Sequence, residues 1–140
     1  MTICDPALNL TDRSSMAGLD TIFLLSPTTT DERIRRAGEL GSGFLYGISR
    51  LGVTGARDRV ASGADTLARR IRAHTSLPIA LGFGISRPEH VAEVCAYADA
   101  AVVGSALVSV VAESAASADM LERVEHYVRW LKSIQSMVKQ

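Results

Sequence analysis

The stretch LPIALGFGIS at residues 77–86 is the part of this chain that best indicates its fold class. Its first half, LPIAL, is apolar without the alternation of a half-exposed strand, which is typical of a parallel strand covered on both faces. Gly82 and Gly84 follow directly, and glycine lets the backbone approach a ligand closely. The stretch therefore predicts a buried strand that ends in a ligand-binding loop.

The same arrangement occurs at three other places along the chain. Apolar runs stand at residues 21–25 (TIFLL), 44–48 (FLYGI) and 100–103 (AAVV), and segments with helical periodicity separate the four runs. Alternation of strands and helices calls for right-handed crossover connections between parallel strands. The predicted fold class is α/β, with a parallel sheet covered by helices.

A helix is expected after each apolar run. The first begins at a T-x-x-E capping box, residues 29–32, and presents Ile34, Ala37 and Leu40 to the core. Pro88 opens the third helix, and residues 106–112 are expected to form a short fourth one. The second helix is expected to present Leu67, Ala68 and Ile71 to the core, with Arg69, Arg70 and Arg72 on its outside. The expected inner face of the third helix is Val91, Val94, Cys95 and Ala98. That of the last helix is Leu121, Val124, Val128, Leu131 and Val138.

Composition narrows the class of protein. The chain has 140 residues, 47% of them hydrophobic, which suits one domain with one core. Fifteen basic and fifteen acidic residues cancel, so neither a nucleic acid nor a membrane surface is an expected partner. Cys4 and Cys95 lack metal-ligand spacing and are expected to be reduced thiols, so no metal site is predicted. Without a bilayer-length apolar run or a secretory signal, a cytoplasmic location is predicted.

Glycines at the ends of the predicted strands indicate an anion site. Ligands of parallel α/β folds lie beyond the carboxyl ends of the strands, where Gly52, Gly55, Gly84 and Gly104 are expected. A helix opening at Ser105 would add N–H donors and a partial positive charge. A single glycine of this kind would suggest only a tight turn, but the set favours phosphate binding.

Four further residues have both a structural and a functional interpretation. Tyr46 is either a core aromatic with its hydroxyl at the rim or one wall of an apolar ligand pocket. Arg50 either balances a substrate phosphate or pairs with a helix carboxylate. The hydroxyls of Thr54 and Ser86 either donate to the ligand or cap a turn.

The residues offer no evident catalytic acid or base. Asp20 and Asp99 precede their strands and are expected at the opposite edge of the sheet. The other acidic residues near the strand ends stand in first helical turns, where capping is their ordinary role. The three histidines lie on helices, so a binding site without visible catalytic groups is expected.

From about residue 19 to about residue 111 the chain resembles the tryptophan synthase alpha chain family. The resemblance rests on IFLLSPTTTDERI at residues 22–34, SRLGVTG at 49–55, LPIALGFGIS at 77–86 and AAVVGSALV at 100–108. It implies a (β/α)8 barrel that cleaves indole-3-glycerol phosphate to indole and glyceraldehyde 3-phosphate by retro-aldol chemistry. It also implies a tryptophan synthase beta chain as partner and no organic cofactor.

The resemblance also implies roles for particular residues. Gly55, Gly84, Gly104 and Ser105 match the phosphate binders, Thr54 matches the threonine of a mobile loop, and Tyr46 matches the tyrosine beside the indole. The catalytic glutamate and aspartate of the family belong upstream of TIFLL, and no matching segment stands there. Catalytic residues are therefore expected to be absent from this chain.

The expected organisation is a divergent or truncated segment at residues 1–18 and half of a TIM barrel, strands five to eight, at residues 19–140. Four strands cannot close an eight-stranded barrel, so self-association, a partner or aggregation is expected. The favoured hypothesis is an alpha-chain-like protein with little activity alone. The alternative is a non-catalytic half-barrel that binds phosphate or docks on another subunit.

Overall fold

A computed structural model describes residues 18–48, 63–82 and 84–133. They form four strands, β1 to β4, and five helices, α1 to α5. In chain order these are β1 Leu24–Leu25, α1 Asp31–Leu40, β2 Leu45–Ile48, α2 Ala64–Arg72, β3 Ile79–Gly82, α3 Pro88–Cys95, β4 Ala100–Val102, α4 Ser105–Ser114 and α5 Met120–Leu131.

The strands form one parallel sheet in the order β1-β2-β3-β4, which confirms the predicted α/β class. Each strand lies beside the next one in the chain, with a helix between each pair in the sequence. All four carboxyl ends therefore meet at one edge of the sheet.

One face of this sheet carries the hydrophobic core. Leu25, Leu45, Ile79 and Leu81 point to this face and are at most 3% exposed. They pack against the apolar faces of the helices, which contribute Ile34, Ala37, Leu67, Ala68, Ile71, Val91 and Val94. Each such burial stabilises the fold by roughly 1.5–3 kcal/mol for a large aliphatic side chain.

No described helix covers the other face of the sheet, which we call the open face, although Ala80 on it is only 5% exposed. One row across it runs from Leu24 through Tyr46 and Ala80 to Ala100, as the strand register shows. Leu24 is 62% exposed at one end of the row, and Ala100 is exposed at the other. Among the described strands, β1 and β4 each pair on one side only. The apolar runs were predicted to be covered on both faces, and the described helices cover only one.

The ends of several elements differ from the predicted ones. β1 covers residues 24–25 instead of 21–25, because an edge strand has pairing on one side only. Thr30, not Thr29, caps α1, and its hydroxyl accepts a hydrogen bond from the Arg33 N–H at 3.4 Å. The residue three positions after this cap is Arg33, so the predicted capping box with a glutamate does not form. α4 extends over residues 105–114, beyond the expected 106–112. Pro88 does open α3, as predicted.

The predicted inner face of the last helix is correct only in part. Leu131 is buried, but Leu121 is 75% exposed and Val128 38% exposed. Val138 lies outside the described residues. The apolar stripe of α5 therefore continues past the part of the fold that it packs against. In the described part of the chain, no helix has the length and apolarity that crossing a membrane would require.

Asp99 joins the amino ends of two strands. Its carboxylate accepts the Ile79 N–H at 2.8 Å and pairs with Arg72 at 2.5 Å. The Ile79 N–H first, and then the Arg72 guanidinium, hold the pKa of the Asp99 carboxyl below its usual value. Asp99 therefore lies at the edge opposite the carboxyl ends, as predicted, and has a structural role.

Replacing Asp99 with asparagine should remove a pH-dependent part of the stability. A carboxyl with a lowered folded-state pKa stabilises the fold above its unfolded pKa of 3.8, and this contribution disappears as the pH falls through the folded-state value. The free energy of unfolding of the wild type should exceed that of Asp99→Asn most at neutral pH. Urea titrations between about pH 3 and pH 7 measure this difference, and a difference that does not shrink in acid would contradict the assignment.

Candidate functional site

The carboxyl ends of β3 and β4 bring three predicted site residues to one place. Gly82 pairs with Val102 in the parallel register. Gly84 and Gly104 each stand two positions after these paired residues, beyond the ends of the two strands. Neighbouring strands of a sheet lie about 4.8 Å apart. Ser105 follows as the first residue of α4. The structure thus places Gly84, Gly104 and Ser105 at the same edge of the sheet.

The first turn of α4 is open to a ligand. Gly104 is its N-cap and supplies no side-chain cap, while its carbonyl accepts from the N–H groups of Leu107 and Val108 at 3.0 and 3.1 Å. The N–H groups of Ser105 and Ala106 have no partner within the described part of the chain, as is usual for a first helical turn. A Cβ built on Gly104 would meet no atom of the described residues within 4 Å, so among these residues space remains above this turn.

Gly84 has a backbone that favours glycine. Its φ angle is +71°, a left-handed conformation that costs a residue with a Cβ about 1 kcal/mol or more. This strained turn directs the chain from β3 toward α3. Turn chemistry is therefore sufficient to explain Gly84, and a role in ligand binding would come in addition.

Tyr46 lies on the open face of the sheet, across the neighbouring strand. Its hydroxyl would come within 2.5 Å of a Cβ on Gly82, and its ring within 3.0 Å. The missing side chain of Gly82 therefore provides the space for the tyrosine. Tyr46 is half-buried, so its ring serves as packing and still presents a surface toward the open face. Both interpretations of this residue made from the sequence are compatible with this position.

The remaining predicted site residues lie outside the described part of the chain. They belong to residues 49–62, which follow β2. They are Arg50, Thr54 and Gly55, together with Gly52 of the same motif.

Arg70 supports the loop after β1, a role that the sequence analysis missed. It donates to the carbonyls of Pro27 and Thr29 at 3.0 and 2.6 Å, and to the Asp31 carboxylate at 2.9 and 2.6 Å. Arg70 was predicted on the outside of α2, and its side chain is 32% exposed there while it bridges α2 to this loop. The available signal was its spacing of three residues from Leu67, which places it beside the buried stripe.

The loop after β3 is held in a similar way. The Ser86 N–H donates to Nδ1 of His90 at 3.4 Å, and the Tyr127 hydroxyl donates to the Ser86 carbonyl at 3.0 Å. His90 is 6% exposed, and partial burial raises the pKa of the Tyr127 hydroxyl. Helices α3 and α5 therefore fix the backbone just beyond Gly84.

A family model described as tryptophan synthase alpha chain matches residues 5–136. The chain belongs to the tryptophan synthase alpha chain family. The match extends beyond residues 19–111, where the resemblance was first noted, at both ends.

Relatives and solved structures of the tryptophan synthase alpha chain agree with this assignment. The tryptophan synthase alpha chain of Methanosarcina mazei is 52% identical over 83% of this chain and 41% of its own length. That of Methanosarcina barkeri is 48% identical over 92% of this chain and 48% of its own. A chain from the Pyrococcus furiosus tryptophan synthase a2b2 complex superposes with a TM-score of 0.79, at 34% identity over 91% of this chain and 51% of that one.

The chain spans about half the length of the curated tryptophan synthase alpha chains that it matches. The solved relatives are TIM barrels, and this chain covers 51% of the Pyrococcus furiosus chain. Its four parallel strands therefore correspond to half of an eight-stranded barrel, as predicted. The open face described above is the face that points into a barrel.

A cavity of about 390 Å³ lies away from the predicted phosphate-binding residues, on the helix-covered side of β4. Ala101, Val103 and Leu131 are among its lining residues. Tyr46 lies on the other face of the sheet. Within the described ranges, no group of three or more His, Cys, Asp and Glu side chains is placed to hold a metal ion.

Two glycine-to-alanine substitutions should have different effects on stability. A Cβ at Gly82 would lie 2.9 Å from the Val102 Cβ, which cannot rotate away, so Gly82→Ala should lower the free energy of unfolding by about 1–3 kcal/mol. Gly104→Ala meets no atom and should change it by less than about 0.5 kcal/mol. Chemical denaturation of both variants tests this order, and equal losses would contradict the described placement of Tyr46 and Val102.

Proposed function

We propose that this chain binds the glycerol phosphate end of indole-3-glycerol phosphate in the manner of its family, and that alone it cleaves this substrate poorly. The family reaction, retro-aldol cleavage to indole and glyceraldehyde 3-phosphate, would then need groups beyond those that this chain presents. The substrate and its triose phosphate product are the expected small-molecule ligands.

The observation that carries this proposal is the uncapped first turn of α4 beside Gly84. Helix N-termini favour anions because their first N–H groups are unpaired and their dipole is positive there. In TIM barrels a phosphate is frequently held by the loops after the last two strands and the start of a short helix. β3 and β4 hold these positions in the half-barrel, and Gly104 leaves the required space.

The same edge also suits the apolar part of the substrate. Leu24, Tyr46 and Val102 belong to the open face and present apolar surface beside the phosphate-binding end. Arg70 and the His90–Ser86–Tyr127 chain of hydrogen bonds hold the two neighbouring loops in place. A ligand with a phosphate at one end and an aromatic ring at the other fits this distribution of groups.

Two described carboxylates are not free to act as catalytic groups at this edge. Asp31 is bonded to Arg70, and Asp20 lies against Gly43 before β2, at the opposite edge of the sheet. A missing positioned general acid or base typically costs ~100- to 10,000-fold in rate. This supports substrate binding without efficient turnover.

Glycerol 3-phosphate should bind to the wild-type chain and bind much more weakly to Gly104→Asp. The introduced carboxylate would occupy the space above the first turn of α4 and repel the phosphate, weakening the affinity about tenfold or more, or ~1.4 kcal/mol. Isothermal titration calorimetry measures this directly. Gly104→Asn is the matched control, because it adds the same volume without charge and should retain more affinity than the aspartate variant.

Two results would contradict the phosphate site. Wild-type protein that releases no heat with glycerol 3-phosphate, at a concentration where it is folded, would remove the proposal. Equal binding by the wild type and Gly104→Asp would place the phosphate elsewhere.

Indole release from indole-3-glycerol phosphate should be near background for the chain alone, because the described residues present no positioned acid and base at this edge. We further propose that a tryptophan synthase beta chain is a partner, as the a2b2 complex of the Pyrococcus furiosus relative suggests. Adding beta chain should not restore full turnover, because it supplies no catalytic carboxylate to this half. Substantial indole formation by the lone chain, followed by chromatography, would contradict the proposal.

The second candidate function is a binding module that docks on another subunit. The open apolar face favours this second function, because an exposed apolar face is usually covered by a partner. Self-association, which the sequence analysis expects, would cover the face in the same way. If the chain binds phosphate but the Gly104 variants leave the activity of a beta chain unchanged, the result would support phosphate binding without docking.

We also propose that the chain is cytoplasmic, in keeping with its neutral charge and its predicted reduced thiols.

A further inference from the structure

We infer that Tyr127 couples the last helix, α5, to the phosphate site at the carboxyl ends of β3 and β4. Its hydroxyl holds the turn that carries Gly84, so Tyr127 is a positioning residue that acts on the ligand through the backbone. This coupling rests on the proposed function, because the site in question is the proposed phosphate site. It adds a helix whose docking and the bound ligand stabilise each other.

The turn after β3 combines one exposed residue with fixed neighbours. Gly84 is exposed, and its N–H has no partner among the described residues. Ile85 follows it and is 3% exposed, as part of the hydrophobic core. A glycine can leave the φ angle of +71° easily. The residues that follow Gly84 therefore determine where its N–H points.

Ser86 is the residue through which two helices hold this turn. Its carbonyl accepts a hydrogen bond from the Tyr127 hydroxyl of α5 at 3.0 Å. Its N–H donates to Nδ1 of His90 on α3 at 3.4 Å. The second bond is long and therefore the weaker of the two, so the Tyr127 hydroxyl is the main contact.

Tyr127 also belongs to the part of α5 that contacts the core. Its ring packs against the hydrophobic core, and its centroid lies 5.7 Å from that of the Trp130 ring. Leu131 stands four residues later on the same face of the helix and is 6% exposed. Partial burial raises the pKa of the Tyr127 hydroxyl, so its proton is present to be donated at neutral pH. The side chain that docks α5 is therefore also the one bonded to the Gly84 turn.

Such a coupling acts in both directions. If docking of α5 raises the affinity for phosphate by some factor, phosphate favours docking of α5 by the same factor. One net hydrogen bond changes an equilibrium about two- to tenfold. We therefore expect the ligand to oppose undocking of α5 by up to this factor.

Tyr127→Phe should bind glycerol 3-phosphate about two- to tenfold more weakly than the wild type, because it loses the hydroxyl and keeps the ring. Thr75→Val is the matched control. The Thr75 hydroxyl accepts the Leu77 N–H at 3.2 Å at the opposite edge of the sheet, so its loss should leave the affinity unchanged. Isothermal titration calorimetry of the full chain, at a temperature where all three proteins are folded, measures these affinities.

Two variants of His90 separate positioning from stability. Oδ1 of an asparagine is as many bonds from the backbone as Nδ1 of the histidine, so His90→Asn can accept the Ser86 N–H and His90→Leu cannot. Leucine suits this buried position better, because burying an amide costs free energy. His90→Asn should therefore unfold more readily than His90→Leu and still bind glycerol 3-phosphate more tightly. An affinity that follows the order of stability would contradict positioning through Ser86.

Hydrogen exchange tests the effect of the ligand on the helix. Saturating glycerol 3-phosphate should slow exchange at the Val128 and Leu131 amides of α5 more in the wild type than in Tyr127→Phe. Equal slowing in both would show that the ligand acts on α5 only through the stability of the whole fold, and would contradict the coupling.

The outcomes separate this coupling from the phosphate site itself. Wild-type chain that does not bind glycerol 3-phosphate would overturn the site and the coupling together. Equal affinities of the wild type and Tyr127→Phe would overturn the coupling alone and leave the phosphate site in place.

Discussion

Burial of one face of a four-stranded parallel sheet under its helices is the interaction on which the rest of this structure depends. Leu45, Ile79 and Leu81 are essentially inaccessible to solvent on that face. Parallel sheets ordinarily have both faces covered, because their strands are apolar on both. The described helices satisfy only half of this requirement. Because of this asymmetry, no described helix covers the face that carries Tyr46.

The candidate site depends on the sheet because parallel strands deliver their carboxyl ends to one edge. Gly84 and Gly104 meet there although twenty residues separate them in the chain. Hydrogen bonds from Arg70 and Tyr127 then fix the adjoining loops, and they come from helices that pack on the buried face. In the proposed function, binding of the phosphate needs only the carboxyl ends of the strands, whereas cleavage of the substrate would need groups that the rest of a barrel supplies.

The fold class and most inner helix faces could be predicted from the sequence, since apolar runs and helical periodicity depend on local spacing. Ile34, Leu67 and Val94 are buried as their spacing indicated. Residue spacing did not predict the exposure or the contacts of a side chain where packing between distant parts of the chain determines them. Leu121 has the right periodicity but is 75% exposed, and Arg70 reaches a loop 41 residues away. Gly82 was read as part of an anion loop, whereas the structure shows that its missing side chain accommodates Tyr46 across the strands.

The most direct test of the account is an amide NMR titration of the uniformly ¹⁵N-labelled chain with glycerol 3-phosphate. The N–H groups of Gly84, Gly104, Ser105 and Ala106 should show the largest shift changes, because we propose that backbone donors at the ends of β3 and β4 hold the phosphate. The amides of Asp99 and the helix-covered side of β4 should change little. Shifts centred on the cavity beside Ala101 and Leu131, or no saturable shifts, would contradict it.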